Sequence, residues 1–179
     1  MSLKKIFIAG FGGQGVMMIG EMITWAAMQE GKEVTWMPSY GPAMRGGTAN
    51  CTVCVSDDKP ITSPVASKCD ILVVMNEPSL LAFQDMLYPG GQLFINASMV
   101  PEDLPVRDDV VVHRIDTEKL ALETAGIAKA ANMVMLGAIL KESGVASRET
   151  MDGALSHFFS GAKAKFIPGN EKALYAWEE

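Results

Sequence analysis

At 179 residues, 49% hydrophobic and 20% charged, the chain has the make-up of a folded protein with a sizeable core, which excludes a disordered or fibrous one. A formal net charge of −6 argues against a nucleic-acid partner, which would call for a basic face. The longest apolar runs, such as 71–75, fall far short of the ~20 residues of a membrane helix, and the start leads into a strand-like run with no signal-peptide pattern; a cytoplasmic protein without membrane contact is expected.

Residues 5–9 form a short apolar run that meets Gly10, the pattern of a buried parallel strand. From 14 to 30 the apolar residues fall at positions 16, 19, 22, 23, 26 and 27, a helical spacing closed by Gly31. Residues 33–37 read as a second strand, 38–47 as a Gly/Pro-rich segment and 48–56 as a third strand. A turn at 57–60 precedes a strong apolar strand at 69–75. A helix is expected over 77–87 with Pro78 in its first turn, then a break at 88–91 and a strand at 92–96. A loop at 100–106 leads to a strand at 110–115. Helices are expected over 116–125, 129–143, 147–159 with Ser147 as N-cap, and 168–177, with 160–169 as linker. The pattern predicts one α/β domain over 1–179, with a mostly parallel, Rossmann-like sheet covered by helices on both faces. Two strands without an intervening helix predict an irregular or antiparallel addition around 38–56, and the chain turns helical from about 116.

Two glycine-rich segments carry the chemistry. Gly10, Gly12 and Gly15 fit G-x-G-x-x-G between a strand and a helix, with Gly13 and Gln14 between them. Such a turn lets a backbone approach closely and presents free N–H groups to an anion; it can equally be a tight crossover with no ligand. A nicotinamide site would need Asp or Glu at the end of the second strand. None stands there, because Glu30 and Glu33 come too early. The second segment holds Ser39, Tyr40, Gly41, Met44, Arg45, Gly46, Gly47 and, beyond it, Asn50. Arg45 flanked by two glycines suits a carboxylate or phosphate, and the same segment suits an Ω-like loop packed on a partner.

No catalytic or metal-binding residue is expected. Cys51 and Cys54 lie three apart in a strand and so face opposite sides, and three cysteines cannot supply a four-thiolate cluster. His113 and His157 lack nearby Cys or acidic partners and read as structural. Around 132–137 the Met-rich helix reads as core or interface; Asn132 is its polar exception, placed either to satisfy a loop carbonyl or to face a ligand.

The paired segments 10–15 and 38–47, followed by Thr48-Ala49-Asn50-Cys51 and by the 132–137 helix, resemble the gamma subunit of 2-oxoacid:ferredoxin oxidoreductases. The resemblance runs from about 5 to 145 and is nearest to the 2-oxoglutarate or branched-chain 2-oxoacid type; Ala43 stands where that family usually carries Glu. It implies a subunit of a complex that oxidatively decarboxylates a 2-oxoacid with coenzyme A to acyl-CoA, CO2 and reduced ferredoxin. Thiamine diphosphate and Mg2+ would belong to alpha and beta subunits, and iron–sulfur clusters to a ferredoxin-like delta subunit and in some members also to beta. This chain would hold no cofactor tightly but would shape a shared cleft, with Gly10, Gly12–Gly15, Ser39–Gly41, Met44–Gly47, Asn50 and Asn132 around it. Alone it is expected to be inactive and able to form a homodimer. The rival reading is a free-standing NAD(P)- or other nucleotide-binding protein.

Overall fold

The computed structural model describes residues 3–41 and 47–177. Six strands, β1 (Lys4–Phe11), β2 (Glu33–Tyr40), β3 (Thr48–Ser56), β4 (Cys69–Val74), β5 (Leu87–Asn96) and β6 (Val111–Ile115), form one sheet in the order β2-β3-β1-β4-β5-β6. The helices are α1 (Val16–Gln29), α2 (Glu77–Phe83), α3 (Thr117–Ala125), α4 (Ala131–Ser143), α5 (Arg148–Phe158) and α6 (Ile167–Leu174). β1, β4, β5 and β6 pair in parallel, whereas β3 runs antiparallel to both β1 and β2. The antiparallel addition expected around 38–56 is therefore β3 with its partner β2.

Alternating side chains of the same strands feed two cores. Ile6, Ile8, Cys51, Val53, Ile71, Val73 and Phe94 face α1, α4, α5 and α6, with Ile19, Met22, Ile23 and Met135 among the buried residues opposite. On the other face, Phe7, Ala9, Leu72, Val74, Leu93 and Ile95 pack against Leu80 of α2 and Val100 of the β5–β6 connection. Helices cover both faces, but unevenly.

Several boundaries differ from the sequence pattern. β1 runs on through Gly10 and Phe11, because both pair with β3, and α1 starts only at Val16. β2 continues past Met37 to Tyr40; it is an edge strand, where a proline lacking N–H is tolerated. The break expected at 88–91 lies within β5 as an irregularity: pairing with β4 skips from Leu87 to Gln92, and the Gly90 N–H donates to Asp109 O at 2.7 Å. The helix expected over 77–87 ends at Phe83 and gives way to a 3-10 turn, Gln84–Met86. The 160–169 linker is a 3-10 helix, Gly161–Phe166, leading into α6. The caps follow the chemistry of the sequence: Asn76, Asp116 and Ser147 each accept a backbone N–H of the first turn of α2, α3 and α5.

Candidate functional site

From β1 the chain leaves through α1 toward β2, and from the adjacent β4 through α2 toward β5, on the other side. Such a switch point opens a crevice beyond the strand ends, the usual ligand position in α/β sheets. The first glycine turn sits in it.

Gln14 ties that turn to β4. Its Oε1 accepts from Phe11 N–H at 2.7 Å and from Asn76 Nδ2 at 2.8 Å, and its Nε2 donates to Met75 O at 3.0 Å. The polar chain continues along the strand ends: Asn96 Nδ2 donates to the same Met75 carbonyl at 3.3 Å, and Thr117 Oγ1 donates to Asn96 Oδ1 at 2.8 Å. Asn76, Asn96 and Thr117 are buried, so these bonds satisfy groups that would be costly to leave unpaired. Gln14 thus acts as a latch between the ends of β1 and β4.

The latch leaves the glycine backbone presented to solvent. Gly13 (φ +100°) has open space where a Cβ would stand, whereas Gly15 (φ +77°) would drive a Cβ to 2.5 Å from Asn132 Nδ2. A side chain at Gly15 is barred by backbone and contact alike. Gly10 is a packing glycine: a Cβ there would meet Gln14, Val16 and Met75 within 2.9 Å.

The two glycine segments meet. Gly12 N–H donates to Gly47 O at 3.0 Å, and Gly41 N–H donates to Thr48 O at 2.8 Å. Tyr40, 69% exposed, lies with Gly12, Gly13, Met17 and Glu21 around a cavity of about 360 Å³. Gly13, Gln14 and Asn132 line two more cavities, of about 300 and 360 Å³. Ser39 and Asn50 do not join this group. They pair across β2 and β3 and have the parity opposite to Ala49 and Tyr40, which puts them on the other face of the sheet. Met44, Arg45 and Gly46 lie outside the described residues. Lys129, Phe166 and Asn170 also line the second of these two cavities; the sequence pattern missed them because Phe166 falls in a stretch that reads locally as a linker, and Lys129 and Asn170 sit in expected helices far from the glycine turn in the chain.

With β2 extended to Tyr40, its end still carries no carboxylate. Burial pushes the thiols of Cys51 and Cys69 up to about 12, so neither is a thiolate nucleophile near neutral pH. Among the described residues no cluster of three or more His, Cys, Asp or Glu is placed to hold a metal ion, and no helix is long and apolar enough to cross a membrane. His113 stacks on Phe94 at 4.6 Å and His157 on Trp25 at 5.1 Å, both packing roles.

The family model for pyruvate ferredoxin/flavodoxin oxidoreductase matches residues 5–176. The 2-oxoglutarate synthase subunit KorC of Methanothermobacter thermautotrophicus is 38% identical over 181 residues, covering 98% of this chain and 92% of that protein. A solved keto/oxoacid ferredoxin oxidoreductase gamma subunit from Geobacter sulfurreducens superposes with a TM-score of 0.81 at 28% identity, over 98% of this chain and 96% of that one. The fold recurs in the 2-oxoglutarate:ferredoxin oxidoreductase of Magnetococcus marinus, solved with 2-oxoglutarate, coenzyme A and succinyl-CoA bound; the TM-score is 0.86 at 23% identity, over 97% of this chain and 30% of that one. The chain belongs to the pyruvate ferredoxin/flavodoxin oxidoreductase family.

Proposed function

We propose that this chain is the gamma subunit of a multi-subunit 2-oxoacid:ferredoxin oxidoreductase, which converts a 2-oxoacid and coenzyme A to acyl-CoA, CO2 and reduced ferredoxin. The observation that carries the reading is the family match over 5–176, nearly the whole chain, with a gamma subunit of that class among the solved relatives. Partner alpha and beta subunits hold thiamine diphosphate with Mg2+, and a ferredoxin-like delta subunit holds iron–sulfur clusters; those groups supply the decarboxylation and electron transfer. The complex works in the cytoplasm. This chain binds and encloses.

Its contribution is a preformed backbone surface. The Gln14 latch holds Gly12–Gly15 at the mouth of the switch-point crevice, and the bond to Gly47 brings the second glycine segment there. Arg45, two residues before Gly47 in the chain, supplies the cation that an anionic group of coenzyme A requires, because a guanidinium matches phosphate oxygens bidentately. In support, the Magnetococcus structure that shares this fold was solved with coenzyme A bound.

The test is an anaerobic pull-down of tagged chain from native extract, with the eluate assayed for coenzyme A-dependent 2-oxoacid oxidation. Co-elution of thiamine- and iron–sulfur-bearing partners with that activity is expected, and a chain that elutes alone and inactive overturns the assignment. In the recovered complex, Arg45→Ala should raise KM for coenzyme A about tenfold, the loss of one charge-assisted contact of ~1.5 kcal/mol. An unchanged KM in an intact complex removes Arg45 from the coenzyme site.

A further inference from the structure

β6 is one edge of the sheet and pairs only with β5. Along a strand, the N–H and C=O of one residue point to the same side, and the side alternates from residue to residue. The Ile115 carbonyl accepts from Ala97 N–H at 2.8 Å and the Asp109 carbonyl accepts from Gly90 N–H at 2.7 Å, both on the β5 side. Val111, His113 and Ile115 therefore bond toward β5, while Val112 and Arg114 turn their N–H and C=O outward. Among the described residues no backbone group bonds those outward donors and acceptors.

Such an edge is normally guarded by charge, proline, a bulge or a covering segment. β2, the other edge, carries Glu33 and Pro38. β6 reads Val-Val-His-Arg-Ile, with no proline, carboxylate or lysine, and its pairing with β5 runs without a register shift. Val111 and Val112 are 50% and 39% exposed. The one cation is drawn aside: Arg114 Nη1 leans to Val100 O at 3.5 Å and to Pro101 O at 3.4 Å, carbonyls of the chain's own β5–β6 connection.

A second copy of the same strand fits this edge by symmetry. A two-fold axis through His113, the middle residue of β6, sets Val112 opposite Arg114 of the other copy and Arg114 opposite its Val112. Each of these pairs exchanges both N–H···O bonds, so every outward group of the strand is satisfied. The charge pattern selects the same register. An axis through Arg114 would set two guanidinium groups opposite each other, which destabilises a pair. An axis through Val112 would need Val110, which lies outside the strand. We infer that β6 is a self-docking edge, through which two copies of this chain pair antiparallel about His113. Five residues a side bury less than the ~800 Å² per partner of stable complexes, so the dimer dissociates in the micromolar range. The inference does not rest on the gamma-subunit reading.

The test measures the monomer–dimer equilibrium of the full chain by analytical ultracentrifugation. Val112→Lys sets a lysine opposite Arg114 of the other copy at both ends of the pairing and should raise Kd at least about tenfold. Val112→Glu sets a carboxylate opposite the same guanidinium and should keep Kd within about threefold of wild type. Position 112 lies at an exposed edge, and an unchanged Tm in both variants checks the fold. The register has its own readout. A non-hydrogen-bonded pair brings its Cα atoms to about 4.5 Å, within reach of a disulfide. Mild oxidation should therefore link His113→Cys into a covalent dimer faster than Met28→Cys, an exposed position on α1; the native cysteines are buried. A chain that stays monomeric at every concentration overturns the inference. So does a dimer that both substitutions at 112 weaken equally, or one that cross-links no faster at 113 than at 28. A monomeric chain whose Val112→Lys variant loses its co-eluting subunits in the pull-down gives the edge to another chain's strand, and that too overturns it.

Discussion

At the scale of single residues, the site depends on a side chain that frames it. Gln14 makes three hydrogen bonds that join the end of β1 to the end of β4. Replacing it by Ala strands the Phe11 N–H and the Asn76 amide and leaves the Met75 carbonyl with only the longer bond from Asn96. The expected cost is about 2 kcal/mol, read as a Tm lower by about 4–8 °C for a chain of this size. Gln14→Glu should not rescue, because it keeps the acceptor but turns the donor to Met75 O into a repelling oxygen. Recovery of wild-type Tm in the Glu variant would mean that the Met75 bond contributes nothing. Local sequence places Gln14 in the glycine turn but cannot reveal this role, since Asn76 and Met75 lie more than sixty positions away. Asn132 is legible only as a polar exception for the same reason: its neighbour Gly15 is remote in the chain.

At the scale of elements, one joint carries a pH dependence. Glu30 caps the end of α1 and reaches the start of α5: its Oε1 accepts from Ser147 N–H at 2.6 Å and its Oε2 pairs with Lys32 Nζ at 2.8 Å. Lys32 donates in turn to Val145 O at 2.8 Å. Burial pushes the Glu30 carboxyl up, but Lys32 and the Ser147 and Thr150 donors together outweigh it and bring it down to about 2. A folded pKa below the unfolded one means stabilisation fully present above about 4.5 and lost as pH falls toward about 2. Denaturant midpoints of wild type and Glu30→Gln should therefore differ at pH 7 and converge between pH 4.5 and 2. A difference that stays constant across that window would place the clamp's contribution in packing rather than charge. Elements were legible where a short apolar run or a 3.6 period marks them, as in β1, β4 and α1. They were not where tertiary contact carries a strand through a breaker: Gly90 stays in β5 because its N–H bonds Asp109 O, while the pairing of β4 with β5 is irregular between Leu87 and Gln92, and the composition of 160–169 hides a 3-10 helix.

At the scale of the whole molecule, the C-terminal helices close the larger core and form the outer wall of the second cavity. α6 reaches the core by passing very close to α4, and the contact is permitted by one glycine. A Cβ on Gly137 would stand 1.7 Å from the Leu174 carbonyl oxygen, a backbone atom that cannot rotate away. The approach is fastened beside it: Lys141 Nζ donates to Trp177 O at 3.0 Å, and Ala173 and Leu174 are fully buried. Gly137→Ala must therefore displace α6 rather than a side chain. Helix propensity favours alanine by up to about 1 kcal/mol, but overpacking against backbone should cost about 3 kcal/mol or more and win, lowering Tm by about 6 °C or more. Because Phe166, Gly169 and Asn170 move with α6, limited proteolysis should cut first at 160–170 in this variant, with the sheet and α4 retained as a resistant fragment. Equal Tm and equal cleavage rates in the two proteins would show that α6 yields without strain. The wall of the second cavity would then be a movable flap rather than a fixed face, with Phe166 at its rim.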